Sequence, residues 1–229
     1  AVGRRGRSET STITSSSTNS STRSGKTPTR SSCPAGEIGF AEDYDGGDPR
    51  GLGWNGDLVI GPPSGDVQAP LEGGMTKDTP SEVWLAADAK SIITEHQKAR
   101  RNRQRDINSF ADIMHTHHEQ ALTCGILLLN IADQFDSPTR DPDDITDHPH
   151  IERIIEEIVD LFDSIDRAEG EMSANLDGAG VIVVDHTNLV DDIGETELVT
   201  DPPAPQKGDR VHYRTFVSQM ADWFEDRLL

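Results

Sequence analysis

The sequence has only two cysteines, few aromatic residues and no long hydrophobic run. Cys33 and Cys124 stand far apart and form neither a CxxC pair nor another metal-binding spacing, so a reduced cytoplasmic chain is expected. No stretch reaches the roughly 18 apolar residues of a membrane-spanning helix. The N-terminus also lacks the apolar segment of a signal peptide, so neither membrane insertion nor secretion is expected.

Basic residues are scarce as well: 21 Lys and Arg stand against 41 Asp and Glu, for a net charge of −20. Residues 1–32 contain six basic residues and one acidic residue, so this segment carries +5 and the rest of the chain −25. An acidic body normally argues against nucleic-acid binding, which depends on Lys and Arg replacing counterions. The same composition is typical of halophilic proteins, in which salt screens surface charge, so nucleic-acid partners are not excluded.

The chain divides by composition into a tail and a body. Residues 8–32 are almost entirely Ser, Thr, Arg, Gly and Asn, with nothing to bury. We therefore expect residues 1–32 to be a disordered basic tail or linker, and residues 33–229 to form one folded domain.

Hydrophobic patterning in the body predicts alternating strands and helices. Short β-branched or continuous apolar runs predict strands, and apolar residues at helical spacing predict amphipathic helices. A helical turn is expected around residues 37–42. The predicted strands cover 57–60, 82–89, 123–131 and 181–184, and the predicted helices 91–117, 151–162 and 213–229. This order indicates an α/β fold.

Charged residues stand at the ends of two of these strands. Asp57 begins one strand, and Asp88 and Lys90 close another. Residues i and i+2 of a strand share a face, so Asp88 and Lys90 should project together. With Asp57 from a neighbouring strand and the Ala89 carbonyl they would form a Mg²⁺ site, in which Lys90 stabilises the attacking hydroxide or the phosphorane charge. The alternative is a strand-end ion pair with Asp57 in an unrelated turn.

A strand with Asp57, a strand with Asp88 and Lys90, the 91–117 helix and the 123–131 strand follow one another in the sequence. In this order they resemble the core of the PD-(D/E)xK superfamily of restriction-endonuclease-like nucleases. The similarity spans roughly residues 54–131, with Gly56-Asp57-Leu58-Val59-Ile60 and Leu85-Ala86-Ala87-Asp88-Ala89-Lys90 as its motifs. More narrowly, the segment from Asp88 to Arg103 resembles uncharacterised haloarchaeal-type members. The resemblance implies a mixed central β-sheet flanked by helices and a deoxyribonuclease dependent on Mg²⁺, or Mn²⁺, with a role in restriction or defence. DNA is then the partner, and a homodimer is left open.

The superfamily usually supplies a further glutamate from a helix before the first strand. Here no convincing helix precedes Asp57, and Glu37 or Glu42 would have to stand in.

A basic cluster follows the candidate lysine: five of the 15 basic residues outside the tail fall within residues 98–105. Lys98, Arg101 and Arg105 share a helical face at i, i+3 and i+7, where they would bind phosphates flanking the scissile bond. The alternative is salt bridging to the abundant carboxylates.

Two other function classes stay open. One is a catalytically inactive nucleic-acid-binding or scaffold protein on the same fold. The other is a protein-interaction adaptor whose acidic surface mimics or repels nucleic acid.

Overall fold

A computed structural model describes residues 38–45, 55–65, 75–136, 141, 144–168, 175–189 and 195–228 of the chain. The predicted basic tail, Cys33 and Glu37 lie outside these described residues. Within them, the strands are β1 (Ile38–Asp45), β2 (Asn55–Gly61), β3 (Met75–Lys77), β4 (Leu85–Ile92), β5 (Leu122–Asn130), β6 (Gln134–Asp136), β7 (Ile145–Asp147), β8 (Gly178–Asp185) and β9 (Glu197–Leu198). The helices are α1 (His96–His117), α2 (Ile151–Asp163) and α3 (Tyr213–Leu228).

The central sheet has seven strands in the order β3-β1-β2-β4-β5-β8-β9. The pairs β1–β2 and β2–β4 are antiparallel, whereas β4–β5 and β5–β8 are parallel. A long helix follows β4, and another separates β5 from β8, as parallel neighbours require. The predicted α/β fold with a mixed central sheet flanked by helices is confirmed.

Helices cover both faces of the sheet. On one face, Ile107 of α1 and Ile155 of α2 pack with Leu127 of β5, while Phe110 of α1 packs on Val59 of β2. On the other face, α3 packs on the sheet through its buried side chains Phe216 and Met220. This double coverage explains why β5 and β8 read as continuous apolar runs.

Glycines in the central strands allow the helices to approach closely. A Cβ atom on Gly125 would lie 2.5 Å from Ile107 Cγ2, and one on Gly180 would lie 2.6 Å from Phe216 Cδ1. Larger residues at either position would therefore displace a covering helix.

One local prediction is wrong. A helical turn was expected around residues 37–42, but residues 38–42 belong to β1, which pairs antiparallel with β2 from Gly39–Gly61 to Asp45–Asn55. Pairing with the apolar β2 decides the conformation of this segment, because its own apolar signal is too short to do so. No helix within the described parts of the chain is long and apolar enough to cross a membrane.

Candidate active site

Asp88 and Lys90 project from the same face of β4. Asp88 pairs across the ladder with Gly125, and Lys90 with Leu127. Both partners face α1, because Leu127 packs with Ile107 and a Cβ on Gly125 would strike Ile107. Side chains directly across a ladder share a face, so Asp88 and Lys90 lie between the sheet and α1.

The two side chains form a buried ion pair. Lys90 Nζ lies 2.5 Å from Asp88 Oδ1; the Asp88 side chain is fully buried and that of Lys90 is 19% exposed. Removing a carboxylate and an ammonium from water costs several kcal/mol per ion, and pairing offsets this cost only when the geometry is good. A fold has no need for such a pair in the middle of its sheet, which makes the position a candidate for chemistry.

Asp57 reaches the same point of β4 from the neighbouring strand. The β2–β4 ladder runs from Ile60–Leu85 to Leu58–Ala87. Asp57 comes directly before Leu58 in β2, and its Oδ2 atom accepts a hydrogen bond from the backbone N–H of Ala89, two residues after Ala87 in β4, at 2.5 Å. The N–H and C=O of one strand residue point to the same edge, so the Ala89 carbonyl also faces the gap between β2 and β4.

The donor atoms at this point suit Mg²⁺. Two carboxylates and one backbone carbonyl are hard oxygen ligands, and Mg²⁺ usually keeps several waters besides one or two carboxylates. Among the residues that the structure describes, no group of three or more His, Cys, Asp or Glu side chains is placed to hold a metal. An ion here would therefore depend on Asp57, Asp88, the Ala89 carbonyl and water.

Glu42 does not join this group. Its Oε2 atom lies 2.5 Å from Nζ of Lys77 on β3, and both side chains are more than half exposed. Its cross-strand partner, Leu58, packs with the cluster under α3, so Glu42 points to the opposite face of the sheet from Asp88. Of the two glutamates suggested as an extra ligand, Glu37 lies outside the described residues.

The predicted phosphate-binding residues lie on the solvent side of α1. Lys98, Arg101 and Arg105 are exposed, on the side of the helix away from Ile107. Lys98 forms an ion pair with Glu95 at 3.0 Å, as the salt-bridge alternative requires. Arg101 and Arg105 form no ion pair with any carboxylate in the described parts of the chain.

Two basic residues of the cluster point differently. Arg100 pairs with Glu157 of α2 at 2.8 Å, and the other is Arg103. It stands four residues before Ile107 and seven before Phe110, and so continues the sheet-facing stripe of α1. Its side chain is 40% exposed and pairs with Asp106 at 3.1 Å, but its Nε atom is buried and has no hydrogen-bond partner within the described residues. The i, i+4, i+7 spacing could have identified it from sequence.

Two other buried polar groups stabilise the fold. Asp177 accepts a hydrogen bond from the Thr123 backbone N–H at 2.8 Å, and the Thr123 hydroxyl lies 3.2 Å from His115 Nε2. Thr123 and Asp177 have almost no exposed surface. Burial, with Asp177 and Asp88 nearby, raises the pKa of Cys124 to about 12. The buried Thr123 hydroxyl is therefore not an accessible nucleophile. The Cys124 thiol stays protonated near pH 7 and offers no thiolate to a metal.

A histidine pair lies at the carboxyl ends of the parallel strands. His96 Nε2 lies 2.8 Å from the Asn130 carbonyl oxygen, and the His148 ring meets the His96 ring edge to face at 4.8 Å. Burial lowers the pKa of His96 to about 4, opposed by the bond to Asn130 and assisted by His148. His96 is therefore a neutral core residue near pH 7.

No protein-family model matches the sequence, and neither the curated proteins nor the solved structures contain a match for the chain. Membership of the PD-(D/E)xK superfamily is therefore a proposal that depends on the residues themselves.

Proposed function

We propose that this protein is a PD-(D/E)xK nuclease that hydrolyses DNA phosphodiester bonds with Mg²⁺ or Mn²⁺, in restriction or another defence role. The observation that carries the proposal is the hydrogen bond from Ala89 N–H to Asp57, which puts this carboxylate beside the backbone of the residue between Asp88 and Lys90. The order β2, β4, α1, β5 supports it, because it is the order of the superfamily core.

Each residue has a role that its position allows. Asp57, Asp88 and the Ala89 carbonyl would hold the cation. A bound Mg²⁺ polarises the scissile phosphate and lowers the pKa of a coordinated water. Lys90 donates to the attacking water and to the charge that develops on phosphorus oxygens. For this, its ammonium group must leave the Asp88 carboxylate that it contacts in this structure.

Three arginines of α1, Arg101, Arg103 and Arg105, would bind the substrate backbone. Arg103 carries a buried Nε donor that has no hydrogen-bond partner within the described residues, and it would bind a phosphate that enters between α1 and the sheet. Arg101 and Arg105 lie on the outer surface, where they can meet phosphates further along the strand.

A plasmid cleavage assay with Mg²⁺ in concentrated KCl tests the function. Lys90→Ala and Asp57→Asn should each lower the rate by about 100-fold or more, the usual cost of a group that stabilises the transition state. Lys207→Ala is the matched control, because Lys207 is exposed, lies outside α1 and the candidate site, and should retain full activity. Asp57 is exposed, so its substitution tests the site even if Lys90→Ala folds poorly. Cleavage that is absent, or indifferent to both changes, would overturn the proposal.

A catalytically inactive nucleic-acid-binding protein is the second candidate. It is favoured by the complete burial of Asp88 against Lys90. Calorimetric titration with Mn²⁺ separates the two functions, since the nuclease requires binding that Asp88→Ala abolishes. On either candidate, replacing Arg101 and Arg105 with alanine should reduce the salt dependence of DNA binding by roughly two counterions. An acidic adaptor would show no DNA binding even at low salt.

We further propose that the protein acts in a salt-rich cytoplasm. The region outside the basic tail carries −25, and mutual repulsion of these charges falls as salt screens them. The thermal unfolding midpoint should therefore rise with KCl concentration, and a midpoint independent of KCl would contradict the halophilic assignment.

A further inference from the structure

The Asp88 carboxylate is already paired with a cation of the protein itself. Lys90 Nζ lies 2.5 Å from Asp88 Oδ1, and the Asp88 side chain is fully buried. Attraction between opposite charges is strong where little water screens it. A metal ion that binds Asp88 must therefore replace this ammonium group or stand beside it.

A divalent cation and the Lys90 ammonium group compete for Asp88. If the metal ion took the other oxygen of the same carboxylate, it would still lie close to the ammonium group, because that group contacts Oδ1. Two positive charges at such a separation repel each other, and burial makes the repulsion stronger than in water. Metal binding at Asp88 and pairing of Asp88 with Lys90 are therefore alternative states of one carboxylate.

The other carboxylate of the candidate site is accessible. Asp57 is exposed, and its Oδ2 atom accepts the hydrogen bond from the Ala89 backbone N–H. A carboxylate has about four positions for hydrogen bonds or metal ions, so this bond does not fill Asp57. A cation from solvent can therefore reach Asp57 directly, but it can bind Asp88 only after Lys90 has moved.

Lys90 can reach a partner from solvent, whereas Asp88 cannot. The Lys90 side chain is 19% exposed, and Asp88 has no exposed surface. A phosphate that arrives from solvent can thus contact the ammonium group while the carboxylate stays out of its reach. Because hydrogen bonds between an ammonium group and a phosphate are charge-assisted, a phosphate can replace Asp88 as the partner of Lys90.

We infer that Lys90 makes metal binding at this site depend on DNA. In the free protein the ammonium group neutralises Asp88 and opposes a divalent cation there. When a DNA phosphate draws the ammonium group away, Asp57 and Asp88 become available together. By thermodynamic linkage, DNA and the cation then raise the affinity of the protein for each other by the same factor. The inference rests on the proposed nuclease function and describes the regulation of that site.

Mn²⁺ titrations of the full chain at one KCl concentration test this dependence, with free Mn²⁺ measured by electron paramagnetic resonance. Each titration is run without DNA and with a short phosphorothioate duplex, which keeps the negative charges and resists hydrolysis. In the wild type the duplex should tighten Mn²⁺ binding by about tenfold or more, a usual size for coupling between two sites. Lys90→Met should bind Mn²⁺ about tenfold more tightly than wild type without DNA, and the duplex should add little.

Two further variants complete the experiment. Lys207→Met removes one exposed positive charge outside α1 and the candidate site, so it should behave as the wild type does. Asp88→Asn measures the Mn²⁺ that binds to the duplex and to Asp57 alone. If Lys90→Met does not fold, Lys90→Gln replaces it, because glutamine is neutral and still donates hydrogen bonds to Asp88.

The outcomes distinguish this inference from the nuclease proposal. Mn²⁺ binding that requires Asp88 but is unchanged by the duplex in the wild type would overturn the inference and leave the nuclease proposal intact. The same holds if the duplex tightens Mn²⁺ binding as much without the Lys90 ammonium group as with it. If no variant binds Mn²⁺ through Asp88, with or without the duplex, both proposals fail.

Discussion

The Asp57 carboxylate accepts a hydrogen bond from the backbone N–H of Ala89, with 2.5 Å between Oδ2 and N, just beyond the last ladder pair of β2 and β4. This bond replaces a strand-to-strand hydrogen bond with one from a side chain. It places the exposed Asp57 carboxylate beside the buried ion pair of Asp88 and Lys90.

Lys90→Met should destabilise the metal-free protein by about 3–5 kcal/mol, because it removes the ammonium partner of the fully buried Asp88 carboxylate. Mg²⁺ should then recover part of the loss by supplying a cation at Asp88. Denaturant unfolding with and without Mg²⁺ measures both effects.

Lys98→Met is the control for this change. Its ion pair with Glu95 is exposed, so the expected loss is below about 1 kcal/mol, with no recovery by Mg²⁺. If Mg²⁺ stabilised neither wild type nor Lys90→Met, Asp88 would not be a metal ligand.

Arg103→Ala should slow DNA cleavage more than Arg105→Ala does, because Arg103 faces the sheet and Arg105 faces solvent. A loss of about 10- to 100-fold is expected for a positioned phosphate contact. Cleavage rates under saturating DNA, with Mn²⁺ affinity measured in parallel, separate loss of phosphate contact from loss of metal. Equal effects of the two substitutions would show that Arg103 has no special position.

Acid should destabilise the protein through His96. The pKa of this residue is about 4 in the folded chain, against 6.5 ordinarily, so the unfolded chain takes up a proton first as the pH falls. The free energy of unfolding should therefore decrease between pH 6.5 and 4, by about 3 kcal/mol in all, and this contribution should level off below.

His96→Gln removes that titration and should flatten the pH dependence of unfolding, measured by denaturant titration from pH 7 to 4. A slope unaffected by His96→Gln would mean that other groups account for the acid sensitivity.

Gly125→Ala should destabilise the fold by about 1–3 kcal/mol, since its Cβ would lie 2.5 Å from Ile107 Cγ2 and force α1 away from Asp88. Gly65→Ala is the control, because the nearest atom to its Cβ would be Asp78 Oδ2 at 3.7 Å. Equal stability of the two variants would show that α1 can shift at no cost.

Much of the fold could be predicted from hydrophobic periodicity. The strands β4, β5 and β8 and the three helices were predicted within a few residues, because each buries a long apolar run or stripe that only one periodicity fits. β1 was predicted as a helical turn, and β3, β6, β7 and β9 were not predicted at all. Their strand conformation depends on pairing with distant segments, which local sequence does not encode.

The site was predictable in part. The i, i+2 rule placed Asp88 and Lys90 on one face, and they do share it. The spacing of Lys98, Arg101 and Arg105 correctly predicted one helical face, but it did not reveal that this face points away from the sheet. The hydrophobic stripe of α1 decides that orientation, and it passes through Arg103 instead.

The β2–β4 ladder is much shorter than the β4–β5 ladder, so β4 is less firmly paired with β2 than with β5. β4 pairs with β5 along its whole length, from Leu85–Leu122 to Ile92–Leu129, whereas it pairs with β2 only from Ile60–Leu85 to Leu58–Ala87. The amide hydrogens of β2 should therefore exchange with solvent through local opening, before those of β5. Such opening would uncover the Asp88–Lys90 pair without unfolding the parallel half of the sheet.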